Sequence, residues 1–414
     1  MNRGGASRKE NVSRLPSRGR LIACCVMLAA SISRSAAESP QPTATDAVRD
    51  FVPTANEFPP VGTGIPLAGE LVQIDPINRR GALRPDGLHE TFAKHFALHW
   101  FALLPYGEVW YHGARAELRD VPLGTHLHGR FLLPPAGEEE TIPELPEDLR
   151  QFARPELRYD HALVLEDDFT FYSRRKRAWR VASVDLDKEK IELEPVGAPP
   201  TDGIKSPYRF DFDRVTRVWR GRSRIDAEAV EPGMVVQVNL GWSQGWGQRE
   251  WSVIDIWLDD ESRQAATAAQ RLRHIRHQRQ RWVPARIDAV EPEDYGGGTV
   301  SLTFFNVDPQ LLEELHDSRD KGFGVAVSEK TLRTWYHRGD KKVGDVLRWE
   351  ASPEPPTGSS GVRATLRFAE LLDGYRPGRI VRVKADPWKF VTMPPEERYL
   401  SLEALEQSKR MVVP

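Results

Sequence analysis

The chain has 414 residues, 40% apolar and 29% charged, with a formal net charge of −2, 32 prolines, 31 glycines, 12 tryptophans and two cysteines. This composition excludes a disordered chain, a collagen-like repeat and a disulfide scaffold. At roughly 150 residues per domain the length suggests two or three domains, and the many turn formers favour short strands over long helices.

The first 20 residues carry Arg3, Arg8, Lys9, Arg14, Arg18 and Arg20 against one acid, Glu10. An apolar run from Leu21 to about Ile32 follows and closes on Ser35, Ala36 and Ala37. The pattern predicts a secretory signal peptide over residues 1–37, and the run is too short for a membrane-spanning helix of about 20 apolar residues. Leu21, Ile22, Ala23 and Cys24 also resemble a lipobox, which would make the chain a lipoprotein anchored at Cys24; here, however, the apolar stretch starts at that motif instead of ending there. Cleavage after Ala37 removes seven basic residues and one acid, leaving a charge of −8, and it removes both cysteines, Cys24 and Cys25. The mature chain is then expected in the periplasm or outside the cell, without a transmembrane segment, disulfide or cysteine-based zinc site. A net-acidic exported chain is not expected to bind nucleic acid, whose affinity is mostly cationic charge.

Residues 38–64 read as a flexible leader. Beyond them a threefold self-similarity divides the chain into unit 1 (65–145), unit 2 (146–258), a connecting helix (259–281), an enlarged unit 3 (282–395) and a C-terminal tail (396–414). The dense Pro and Glu stretch from Pro134 to Glu156 marks the first boundary. Each unit opens on a strand ending in an acid, Asp75, Asp185 and Asp288, and later holds a tryptophan near a glycine, Trp110, Trp219 and Trp335, read as core. The acid-to-tryptophan separations are 35, 34 and 47 residues. Each unit closes on a Pro-Gly turn, at Gly124, Gly233 and Gly378, followed by one more strand.

Short strands without a βαβ rhythm indicate antiparallel β structure, and a small closed barrel removes exposed edges. The Pro-Gly turn followed by alternating apolar and polar residues resembles the last strands of OB-like barrels in secreted bacterial proteins. The expected fold is mainly β, with three consecutive small OB-like antiparallel barrels and one connecting α-helix at about 260–281. In that helix Ala265, Ala268, Leu272 and Ile275 fall on one face.

Candidate chemistry centres on histidine. His126 and His128 are two apart on a predicted strand and share a face; with His112 on the preceding tryptophan strand they could chelate zinc or copper(II). Aligning the turn glycines sets His126, His128 and Arg130 level with Val235, Gln237, Asn239 and with Ile380, Arg382, Lys384. Leu127, Val236 and Val381 are then core, so the histidines are expected to face outward as a solvated pair. His89 and Glu90 do not complete the metalloprotease HExxH motif, because Ala93 stands where its second histidine belongs. No nucleophile elbow, Walker or dinucleotide motif occurs.

Trp242, Trp246 and Trp251 among glycines suggest a ligand surface, as does the arginine stripe Arg273, Arg276 and Arg279. The leading expectation is an exported, non-catalytic binding or scaffold protein without a cofactor, taking an anionic polysaccharide or an envelope protein. The alternatives are a periplasmic zinc or copper(II) protein using His112, His126 and His128, and a hydrolase.

Overall fold

Alternation of apolar and polar residues, broken by tight turns, folds the chain into three small closed β-barrels. The computed structural model describes residues 51–54, 57–76, 78–86, 98–137, 139, 142, 158–197, 208–212, 215–242, 251–319, 323–326 and 341–388. The expected signal peptide, the start of the leader, Trp246, Trp335 and the C-terminal tail lie outside these residues. The end of the expected leader is packed: Phe51 lies against a small cluster of Leu104, Leu132 and Leu163, and Phe58 meets the rings of Tyr106 and Phe305.

The first barrel comprises β1 (Ile65–Asp75), β2 (Arg80–Pro85), β3 (His99–Tyr111), β5 (His126–Leu132) and β6 (His161–Asp167), with β4 (Ala114–Ala116) hairpinned onto β3. Strand β1 pairs with β2 and β5, β2 with β3, and β5 with β6, and a parallel β3–β6 pair closes the ring. The strand that follows the Pro/Glu-rich stretch therefore completes the first barrel instead of opening the second.

The second barrel repeats the order with β7 (Ala178–Asp185), β8 (Lys190–Val196), β9 (Tyr208–Asp211), β12 (Val235–Trp242) and β13 (Trp251–Trp257). Here β9 and β13 form the closing parallel pair. Two further strands, β10 (Arg217–Arg220) and β11 (Ser223–Ile225), extend from β13. The long β3 thus spans the roles that β9 and β10 divide between them. These five-strand rings match the OB-like expectation.

The third barrel is the enlarged one: β14 (Val283–Pro292), β15 (Gly298–Phe305), β16 (Phe323–Ala326), β17 (Lys341–Ala351), β18 (Ser359–Phe368) and β19 (Ile380–Val383) close a six-strand antiparallel ring.

One device recurs in all three. Gly124, Gly233 and Gly378 have φ of 89°, 92° and 81°, a left-handed conformation that glycine adopts without strain. Their N–H groups donate to the carbonyls of Leu71, Val181 and Ile287 at 2.8, 2.7 and 2.8 Å. The N–H groups of Leu71, Val181 and Ile287 donate back to Thr125, Met234 and Arg379, each at 2.9 Å. Immediately after each of these residues the opening strand bulges. This register sets Glu291, not Asp288, level with Asp75 and Asp185, so the acid chosen for the third unit from sequence lies three residues too early.

Each barrel buries its own core, around Leu71, Phe101 and Phe131 in the first, Trp179, Val181 and Phe210 in the second, and Ile287, Phe304 and Leu366 in the third. Trp110 and Trp219 are only half-buried, not core as expected, and their indole N–H groups donate to Glu108 and Asp255. No helix among the described residues is long and apolar enough to cross a membrane.

The described residues include three α-helices: α1 (Asp168–Arg174) follows the first barrel, α2 (Asp260–Arg281) links the second to the third, and α3 (Pro309–Asp317) lies between β15 and β16. The expected connecting helix is α2, but its buried face is polar. Ser262, Gln270, His274, Ile275 and Gln278 are buried, whereas Leu272 is 60% exposed. Hydrogen bonds, not an apolar stripe, seat this helix: Gln270 Nε2 donates to the Arg115 carbonyl at 3.2 Å, and Arg271 clasps both oxygens of Asp308 at 2.8 and 2.9 Å. Arg279 pairs with Glu314 on α3. Asp308 also caps α3, accepting from the Gln310 N–H at 3.0 Å. Asp308→Ala is expected to cost about 1–2 kcal/mol through the lost cap and pair, and Arg271→Ala, which keeps the cap, less than about 1 kcal/mol. Urea denaturation of the two variants measures the difference; equal losses would show that the cap contributes nothing.

Candidate functional site

The turn-glycine alignment orients β5, β12 and β19 correctly. Leu127, Val236 and Val381 are completely buried in their barrels, so the alternate residues point away from the barrel interiors. The expectation of a solvated histidine pair nevertheless fails. His126 is 0% and His128 5% exposed, because α1 and the second barrel cover the outer face of β5. His126 packs edge-on against Trp251, with ring centroids 4.4 Å apart, and His128 stacks on Phe171 at 3.7 Å.

Asp168, the first residue of α1, organises this junction. Its Oδ1 lies 2.7 Å from His126 Nδ1 and 2.8 Å from His128 Nε2, and its Oδ2 accepts the Leu240 N–H at 2.9 Å. The other nitrogen of His126, Nε2, is 3.0 Å from Asp86 Oδ2. The neighbouring Asp167 caps α1 and accepts from the His112 N–H at 3.0 Å and from Asn239 Nδ2 at 2.8 Å. Burial pushes the Asp167 carboxyl up to about 6, against the pull of these donors.

His112 does not join the group. Its ring stacks on Tyr111 and meets the edge of Trp257. Burial, aided by Arg217 and Arg273, pushes it down to about 3, so it is a neutral packing residue. The third member of the cluster is Asp168. In sequence Asp168 is one of many acids, yet the strand-to-helix motif repeats: Asp167, Asp168 and Thr170 match Asp259, Asp260 and Ser262. In both copies the first Asp caps the helix that follows its barrel.

The proposed tryptophan surface divides. Trp246 lies outside the described residues, the backbone of Trp242 ends β12, and Trp251 is half-buried against His126. In the arginine stripe, Arg273 and Arg276 are exposed, while Arg279 is tied to Glu314. Arg273 donates to Gln270 Oε1 at 3.2 Å.

A cleft of about 610 Å³ opens between the first barrel, the C-terminal half of α2 and the third barrel. Among the described residues, six arginines line it, Arg79, Arg115, Arg119, Arg281, Arg379 and Arg382, against two glutamates, Glu108 and Glu117. Arg382 occupies on β19 the position that His128 holds on β5. Its guanidinium donates to the Trp282 carbonyl at 3.2 Å, and burial, opposed by Glu117 and aided by Arg281 and Arg79, pushes it down to about 9. Arg79 is committed to structure, donating to the carbonyls of Leu104, Pro105 and Gly107 where β3 bends.

Several polar atoms in the cleft wall are buried without a hydrogen-bond partner: both ring nitrogens of His274, Oε1 of Gln278 and the hydroxyl of Tyr106. Buried polar groups are normally paired, and these three border a space that could supply a partner. Burial lowers His274 and pushes His277 down to about 3, so both are neutral at physiological pH.

Burial alone would raise the Glu117 carboxyl, but Arg79 and Arg281, joined by His277 and His274 once acid charges them, pull it down to about 2. Its folded value lies below its unfolded one, so its stabilising effect is full above about pH 4.5 and is lost as pH falls towards about 2. Glu117→Gln is expected to lose about 2 kcal/mol at neutral pH and to unfold less steeply with acid. Denaturation midpoints across that pH range test this; parallel profiles for the two proteins would contradict it.

Compared with protein-family models, curated proteins and solved structures, the chain matches none.

Proposed function

We propose that the protein is an exported, non-catalytic binding protein whose cleft takes a segment of an anionic glycan. The observation that supports this most strongly is the excess of arginine over carboxylate among the described residues that line the cleft, six against two. Like charges gathered in a cleft attract an anion, and a carboxylate or sulfate entering it would balance them. Arginine suits the role because its planar fork grips such groups through two hydrogen bonds. The half-buried ring of Tyr106 and that of Phe305 border the same space, supplying apolar faces of the kind sugar rings pack on. The unpaired Gln278 oxygen and His274 nitrogens suit a hydroxyl-rich ligand. Export is supported by the basic leader and apolar run of residues 1–37.

The test is calorimetric titration with a short oligogalacturonate, a sulfated oligosaccharide and a neutral maltooligosaccharide. At least one of the anionic sugars is expected to bind with an affinity that weakens as salt rises, and the neutral one is not. Binding of none, or equal binding of the neutral sugar, rejects the proposal.

A further inference from the structure

We propose that His126 Nδ1, His128 Nε2 and Asp168 Oδ1 form a zinc(II) site at the junction of the first and second barrels. This site is separate from the glycan cleft and rests on different residues. The three donor atoms lie within 4.8 Å of one another, and all three side chains are buried. Two imidazole nitrogens and one carboxylate oxygen are a donor set that zinc accepts, with a fourth position left for water or another ligand.

The surroundings point the same way. A histidine that ligates a metal ordinarily gives its other ring N–H to a carboxylate or carbonyl, which fixes the ring and its tautomer. His126 has that arrangement, with Nε2 3.0 Å from Asp86 Oδ2 while Nδ1 faces the shared centre. Asp168 is oriented likewise: the Leu240 N–H holds its Oδ2 and leaves Oδ1 towards both histidines. The indole of Trp251 and the rings of Phe171 and Tyr172 surround the donors and exclude bulk water.

The donors now touch through hydrogen bonds of 2.7 and 2.8 Å. Ligands of a tetrahedral zinc with bonds of about 2.0 Å stand about 3.3 Å apart. Entry of the ion therefore requires Asp168 Oδ1 to withdraw from each histidine nitrogen by about half an ångström, with the bridging protons released. Because β5 belongs to the first barrel and α1 packs on β12 of the second, the ion would clasp the two barrels together.

The experiment strips the full chain with a chelator and titrates it with zinc alone, by calorimetry and elemental analysis, and separately with cobalt(II). The expected result is one equivalent of zinc, a rise in melting temperature, and a visible cobalt spectrum of four-coordinate type. His128→Ala is expected to weaken zinc by more than about tenfold and the outer carboxylate variant Asp86→Ala by about tenfold, whereas His112→Ala leaves stoichiometry and affinity unchanged. Should His128→Ala fail to fold, the cobalt spectrum and the Asp86→Ala affinity of the folded protein decide. Zinc no higher than in a buffer blank overturns the site. So does zinc that Asp86→Ala and His128→Ala hold undiminished, or that His112→Ala loses.

Discussion

Asp168→Ala is expected to destabilise the chelator-treated protein by about 3–5 kcal/mol, the range for removing one partner of a buried charged group. The substitution removes the carboxylate that His126, His128 and the Leu240 N–H share and leaves His126 with Asp86 alone. Burial would lower His126, but Asp168 and Asp86 hold it well above the usual imidazole range. Burial would likewise raise Asp168, but His126 and His128 hold it well below the usual carboxylate range. The signs define a window. A raised histidine stabilises fully below about pH 6.5 and ceases to as pH climbs through its folded value; a depressed aspartate stabilises above about pH 4 and ceases to as pH falls. The network therefore contributes most between about pH 4 and 6.5 and remains while His126 stays charged. Urea denaturation of wild type and Asp168→Ala from below about pH 4 to well above about pH 6.5 measures it. A loss below about 1 kcal/mol, without pH dependence, would show that the junction is held by packing alone.

The second large effect is an opposition between stability and binding at Arg382. Burial, aided by Arg281 and Arg79, pushes it below the value of an unfolded arginine, so its charge carries a penalty at neutral pH. Arg382→Met keeps most of the side-chain volume and removes a half-buried charge crowded by Arg281 and Arg79. The variant is expected to melt at higher temperature than wild type while binding the anionic sugar at least about tenfold more weakly, equivalent to about 1.4 kcal/mol. Such a trade-off is usual where a site is built on strain or charge. A variant that is both less stable and unchanged in affinity would assign Arg382 a structural role through its bond to the Trp282 carbonyl.

Much of the architecture was legible because barrels write periodic, local signals. The turns at Gly124, Gly233 and Gly378 need a left-handed glycine, and the strand after each alternates core and outer residues. That alone oriented Leu127, His126 and His128 correctly. What the pattern could not show is which outer faces a neighbour covers, since burial of His128 depends on Phe171, 43 positions away in a different element. Helix α2 was misread for the same reason: its partners are backbone carbonyls and acids on other elements, so Gln270 and His274 are buried where an apolar stripe was sought. Asp168 had a readable signature in the repeated strand–Asp–Asp capping motif. Its shared role with two histidines needed the fold, as did the meeting of Arg79, Arg281 and Arg382 in one cleft.

The location of the binding site is tested most directly by amide hydrogen exchange with and without a saturating anionic oligosaccharide. Protection is expected at 78–79, 106–109, 115–119 and 274–281, the cleft wall, and to be absent in Arg382→Met at the same sugar concentration. Protection confined to other surfaces, such as the segment around Trp251, or no protection with the sugar demonstrably bound, would contradict the assignment of the cleft.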